Sequence, residues 1–234
     1  MPTEKEVYQF HADWYERLIL AEDYQGNIDR EITAVQDPQG LDIVELGAGT
    51  GRLTRSLFKK AGSVIASDGS LPMLLKGKEI LANLYSTIPL ITTADMRRIP
   101  LDALCADMVI AGWSFCYLAV WGGENWQVEV DQGIKEAMRL LKPGGLLILL
   151  ESFGTGAEQP EPPSHLVNYL DYLTKKGFES RWFRTDYRFP SVDEADEVSS
   201  FFFGPEMSEK IRRNQWTLLP ECTAIYWCRK TELN

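Results

Sequence analysis

Three acidic residues, each at the end of a short apolar run, and three glycines at alternate positions are the groups in this 234-residue chain whose types and spacing suit chemistry. Ile43-Val44 leads into Glu45, and Leu46-Gly47-Ala48-Gly49-Thr50-Gly51-Arg52 follows. Gly47, Gly49 and Gly51 can take positive φ and leave no side chain between the backbone and a ligand. Ser63 to Ser67 ends in Asp68-Gly69, and Leu90 to Ala94 ends in Asp95-Met96. In a parallel sheet these three ends emerge along one edge. A carboxylate beside the glycine turn, as at Asp68, can accept hydrogen bonds from both hydroxyls of a ribose. The glycine spacing is G-x-G-x-G, with Arg52 where the third glycine of the dinucleotide fingerprint G-x-G-x-x-G would stand.

Holding these groups in place requires strands that end together and helices that return the chain. Val7 to Ala21 reads as one amphipathic helix with Val7, Phe10, Trp14, Leu18 and Ala21 on one face. Tyr8, Phe10, Trp14 and Tyr15 on it either cover the crevice as a lid or only bury a stripe. A second helix runs to about Val35, and Asp37-Pro38-Gln39-Gly40 breaks it. After strand one, Leu53 to Lys60 reads as a helix whose first N–H groups face the crevice. Ser70 is the expected N-cap, and Pro72 a first-turn residue, of a helix reaching Leu84. Met108 to Ala111 is a fourth strand ending at Gly112-Trp113-Ser114. The helical period of Ile134, Ala137, Met138 and Leu141 then precedes Lys142-Pro143-Gly144-Gly145 and an apolar fifth strand, Leu146 to Leu150. Ser191 to Glu194 reads as a capping box for a helix with Phe201-Phe202-Phe203, stopped at Gly204-Pro205, and Thr223 to Cys228 as a last strand.

Composition bounds the rest. With 44% hydrophobic and 25% charged residues the chain is an ordinary globular one, expected to form a single domain. A net charge of −10 disfavours nucleic acid and anionic membranes as partners, since Arg97-Arg98, Lys175-Lys176 and Arg212-Arg213 are isolated pairs. Cys105, Cys116, Cys222 and Cys228 lack C-x-x-C spacing, and two histidines make no ligand cluster, so no metal is expected and the thiols read as free in a reducing cytosol. The polar N-terminus and the lack of a membrane-length apolar run point to a cytoplasmic protein.

Val44 to Gly51 resembles the first motif of class I S-adenosylmethionine-dependent methyltransferases. Ile65-Ala66-Ser67-Asp68-Gly69-Ser70-Leu71-Pro72-Met73-Leu74 is similar to the family's next segment, and Leu140-Leu141-Lys142-Pro143-Gly144-Gly145 to its late turn. The pattern is nearest the ubiquinone/menaquinone-biosynthesis-like branch, methyltransferase type 11. The resemblance implies an α/β fold: a doubly wound, Rossmann-like, seven-stranded and mostly parallel sheet with an antiparallel last strand, in three α/β/α layers. It implies one domain over 1–234, with a helical lid at 1–36, a cofactor core at 41–151 and an acceptor-side cap at 152–222.

For the cofactor S-adenosyl-L-methionine, the resemblance places Glu45, Gly47, Ala48 and Gly49 around the methionine part, with Gly51 keeping the turn close. Asp68 would hold the ribose and Gly69 admit the adenosine. Asp95 would accept from the adenine amino group beside Met96. Trp113 and Ser114 would flank the methionine part or the acceptor. The acceptor is expected to be a small molecule, because the residues after strand four carry no Asn-Pro-Pro-Tyr type motif and the later segment is rich in aromatics. Those rings, from Trp113 to Trp126 and from Tyr169 to Phe189, either line an acceptor pocket or fill a core. Phe183, Tyr187 and Phe189 fall on one face with Arg181 if that run is a strand. His11, His165 and Glu151 are candidate bases for a hydroxyl acceptor, none compelling, so the catalytic residue is left open. A nicotinamide-dependent oxidoreductase and a non-catalytic binder of an adenosine ligand stay as alternatives.

Overall fold

The apolar runs of the sequence become the centre of one sheet in a computed structural model that describes residues 3–231. Seven strands lie in the order β3-β2-β1-β4-β5-β9-β6: β1 (Asp42–Leu46), β2 (Ser63–Asp68), β3 (Leu90–Thr93), β4 (Ala106–Gly112), β5 (Leu141–Thr155), β6 (Glu179–Arg184) and β9 (Glu221–Arg229). β9 runs antiparallel to both neighbours, and the pairs from β3 to β5 are parallel. A separate ribbon pairs β7 (Tyr187–Arg188) with β8 (Leu218–Leu219).

Alternation along the central strands sends side chains to two cores. Leu147, Leu149, Val109 and Ala111 pack with α7 (Trp126–Leu140) and α8 (Val167–Lys175) on one face. Leu146, Ile148, Leu150, Met108 and Ile110 meet α3 (Asn27–Val35) and α4 (Thr54–Leu57) on the other. Helices on both faces of a parallel sheet explain why these strands read as continuous apolar runs. A third cluster joins α2 (Ala12–Ala21), the β7–β8 ribbon, α9 (Val192–Phe203) and α10 (Pro205–Asn214).

Several local expectations change. The N-terminal helix is two: α1 (Glu4–Phe10) and α2 part at His11, whose φ of −127° and ψ of 35° are not helical. The break turns Phe10 outward, 69% exposed, while Val7 and Leu18 stay buried. The helix after the glycine turn shrinks to the single turn α4, continued by non-helical turns. β5 extends well beyond Leu150, because β9 supplies ladder partners as far as Thr155. Phe183 and the pair Tyr187 and Phe189 belong to different cores, since the chain leaves the sheet after Arg184. Ser191 does cap α9, its hydroxyl accepting from Glu194 N–H at 3.1 Å. The four cysteines are free. Among the described residues no helix is long and apolar enough to cross a membrane, and no metal-capable side-chain group gathers.

Candidate functional site

The tips of β1, β2, β3 and β4 bound a cleft of about 740 Å³. Gly47, Gly49 and Gly51 have φ of 69°, 56° and 89°, the left-handed region that favours glycine. At Gly47 a Cβ would stand 2.3 Å from Ser114 Cβ, so only glycine lets the turn touch the end of β4. Ser114 Oγ donates to Leu46 O at 3.0 Å and Ala48 N to Ser67 O at 2.9 Å, which ties three strand tips together.

The three acids take three different positions. Asp68 lines the cleft; its Oδ2 accepts from Gly49 N at 2.8 Å and its Oδ1 from Ser70 N at 2.7 Å. Burial raises its pKa against the pull of those two N–H groups. Ser70 does not cap α5 (Leu71–Leu84) with its side chain; its hydroxyl donates to Tyr8 O at 2.8 Å instead. Asp95 also lines the cleft, but Arg97 grips it through Nε at 2.9 Å and through Nη2, and this pairing lowers its pKa. Glu45 lies under the turn, 2% exposed, accepting from Thr54 Oγ1 at 2.6 Å. Burial pushes its pKa up to about 8. Glu45, Ala48 and Gly51 are not among the cleft-lining residues; Glu45 pairs with Ala66 and so shares a sheet face with Asp68, but it lies further back from the strand tips and its carboxylate is taken up by Thr54 of α4.

Gly47, Gly49, Gly69, Met96, Trp113 and Ser114 do line the cleft. Four further aromatic residues line it: Tyr8 from α1, Tyr15 from α2, Tyr117 at the start of α6 (Tyr117–Val120), and Trp121. Tyr8 donates to the Tyr117 hydroxyl at 2.7 Å, and Tyr117 stacks on Trp121 at 4.5 Å. Burial raises Tyr8 well above the usual phenol range and Tyr15 to about 12, so both are neutral hydrogen-bonding groups at physiological pH.

None of the three candidate bases lines the cleft. His11 sits between α1 and α2 with its ring 5.3 Å from Phe201, and His165 is exposed on the loop before α8. Glu151 is fully buried, accepting from Cys116 N at 3.1 Å and Tyr169 OH at 2.8 Å. Burial raises it to about 7. No residue from 152–222 lines the cleft either. Tyr169 and Phe178 fill the core over α7, while Phe201 of α9 stacks on Trp14 at 4.7 Å and so props α2 from behind.

Lys5, Gln9 and Arg97 line the cleft without having been singled out for it. Lys5, Tyr8 and Gln9 are spaced i, i+3, i+4, so they share a helical face that an aromatic-only search passes over. Arg97 follows Asp95 by two residues, close enough for its own backbone N–H to reach that carboxylate at 2.9 Å.

A family model described as "Methyltransferase domain" matches residues 44–149. Phosphoethanolamine N-methyltransferase 1 of Triticum aestivum is 34% identical over 115 residues, 48% of this chain and 22% of that protein. An uncharacterized methyltransferase of Geobacillus kaustophilus is 26% identical over 152 residues, 63% of this chain and 66% of the relative. The chain therefore spans less than two thirds of the length of either curated relative. A solved S-adenosylmethionine-dependent methyltransferase from Aquifex aeolicus superposes with a TM-score of 0.55 at 14% identity, covering 96% of this chain and 93% of that one, and so shares the fold. The glycine turn, the strand-tip acids and the late turn follow in order along one doubly wound sheet, and the segment that carries them, residues 44–149, is the part of this chain that matches the methyltransferase-domain family.

Proposed function

We propose that the protein transfers a methyl group from S-adenosylmethionine to a small-molecule acceptor. One observation carries the reading: bare backbone at Gly47 and Gly49, the Asp68 carboxylate and an aromatic wall face one cleft. Each Asp68 oxygen takes one backbone N–H, which leaves further acceptor capacity for ribose hydroxyls. At Gly69 a Cβ would meet only Ala94 O, at 4.0 Å, so the backbone is open to a close ligand. Asp95 and Met96 would receive the adenine edge, and Gly47, Gly49, Trp113 and Ser114 the methionine part. Glu45, Ala48 and Gly51 would act from beneath by shaping the turn. Residues 44–149 would form the cofactor core, and α1 with α2 its cover.

The bound cofactor supplies a methyl group on a sulfonium, open to in-line displacement. The chain's share is positioning and exclusion of water, and orientation alone contributes on the order of 7–11 kcal/mol in favourable cases. Asp68 and Asp95 are the only carboxylates among the cleft-lining residues, and no histidine is among them. Tyr8, Tyr15, Tyr117, Trp113 and Trp121 suit a planar or apolar acceptor that does not depend on a strong base from the chain.

Titration with S-adenosylhomocysteine and with NADH tests the reading. Binding of the first and not the second is expected, and Asp68→Ala should weaken it about 10- to 100-fold, the loss of charge-assisted hydrogen bonds, without unfolding the protein. Tight binding of NADH alone would overturn the assignment. Incubation of the protein with a cell extract and methyl-labelled cofactor then reads catalysis, and label in a small-molecule fraction is expected; no transfer leaves a binder without activity.

A further inference from the structure

Arg52 replaces the third glycine of the dinucleotide pattern, and the structure gives that position specific surroundings. Its guanidinium carbon lies 3.4 Å from the centroid of the Trp113 ring, a direct stack. Nη2 pairs with Glu22 Oε1 at 2.5 Å, and the Glu22 side chain is only 2% exposed. Glu221 completes the buried group, and burial together with the neighbouring Glu22 charge raises its pKa well above the carboxylate range.

Trp113 needs such support. Its φ of 50° puts a bulky residue in the left-handed region, a strained conformation that persists only where the surroundings enforce it. Trp113 N donates to Leu150 O at 2.7 Å, which fixes the backbone, while Arg52 covers one face of the ring. The indole also borders the cleft. Arg52 itself is not among the cleft-lining residues, and Trp113 is the lining residue on which it stacks.

We infer that Arg52 is a positioning residue: clamped by Glu22, it holds Trp113 in its strained conformation as the wall beside the methionine part of the cofactor. The inference rests on the cofactor reading above. A planar guanidinium stacks on an indole where a lysine ammonium does not, yet a lysine preserves the charge opposite Glu22. Arg52→Lys therefore separates the stack from the ion pair, whereas Arg52→Met would leave Glu22 buried without its partner and risk the fold.

The test is a double-mutant cycle read by calorimetric titration with S-adenosylhomocysteine, with thermal unfolding alongside. Arg52→Lys is expected to weaken binding about tenfold, in the range of a desolvated cation–π contact, with a melting temperature near that of the wild type. In a Trp113→Leu background the same change should add less than about twofold, because contacting residues couple. Unchanged affinity in Arg52→Lys, or effects of the two substitutions that simply multiply, overturns the role of Arg52 while leaving the cofactor reading intact. Failure of the wild-type protein to bind the ligand overturns both.

Discussion

The two N-terminal helices, adjacent in sequence and both over the cleft, are held in different ways. α2 is fastened to the glycine turn by charged side chains: Glu16 accepts from Thr50 Oγ1 at 2.7 Å and from Arg55 at 2.6 Å, and Glu22 pairs with Arg52. Leu18 and Ile19 are buried behind it, and Trp14 stacks on Phe201. Among the described residues α1 buries Val7 and is held by the Tyr8–Tyr117 bond, the Ser70 hydroxyl, the Tyr8 ring edge-on to Tyr15 at 5.9 Å and Lys5 over the Trp121 ring at 4.9 Å. From this difference we propose two duties for the expected lid: α2 belongs to a firm rim, and α1 is the part that opens.

Breaking the firm half should have the largest effect. Glu16→Ala leaves Thr50 and Arg55 without their acceptor, and the protein should lose about 2–4 kcal/mol in denaturant unfolding, with weaker S-adenosylhomocysteine binding. A loss within experimental error would show that α2 is held by its apolar face alone.

The acid beneath the same turn predicts a pH dependence. Glu45 has its folded pKa raised from 4.5 to about 8 by burial. The native state therefore holds a proton that the unfolded chain has released between those values. Its contribution is fully present below pH 4.5 and is lost as pH rises through about 8. Melting temperature should decline from pH 5.5 to 8.5, and Glu45→Gln should make the decline shallower by about 2–4 °C, the shift that about 1 kcal/mol produces at this size. Parallel profiles for the two proteins would show that Glu45 does not carry the effect.

The smallest effect belongs to α1. Tyr8→Phe removes one hydrogen bond, worth about 1 kcal/mol, so amide exchange in α1 should quicken about fivefold while α2 and the melting temperature stay nearly unchanged. Equal acceleration in both helices would mean that they open as one unit.

Much of the glycine-turn end of the cleft was legible because its requirements are local. Positive φ at Gly47, Gly49 and Gly51 follows from residue type, and the acids at the ends of β2 and β3 follow from where apolar runs stop. At Glu45 the position at a strand end is evident in the sequence, but what its carboxylate meets depends on Thr54 approaching from α4. The aromatic segment between Tyr169 and Phe203 was ambiguous, because rings that line a pocket and rings that fill a core look alike in sequence. Only packing showed that Phe201 supports α2 and that Tyr169 faces Glu151.

The sequence by itself determined the doubly wound order of elements, the glycine turn and the acids around it, since periodicity, chain stops and backbone freedom are properties of neighbouring residues. Tertiary structure alone decided which acid faces the cleft, where the N-terminal helix divides and why Arg52 lies on Trp113. Each of these depends on contacts between segments far apart in the chain, and burial sets their energies only after the sheet has closed.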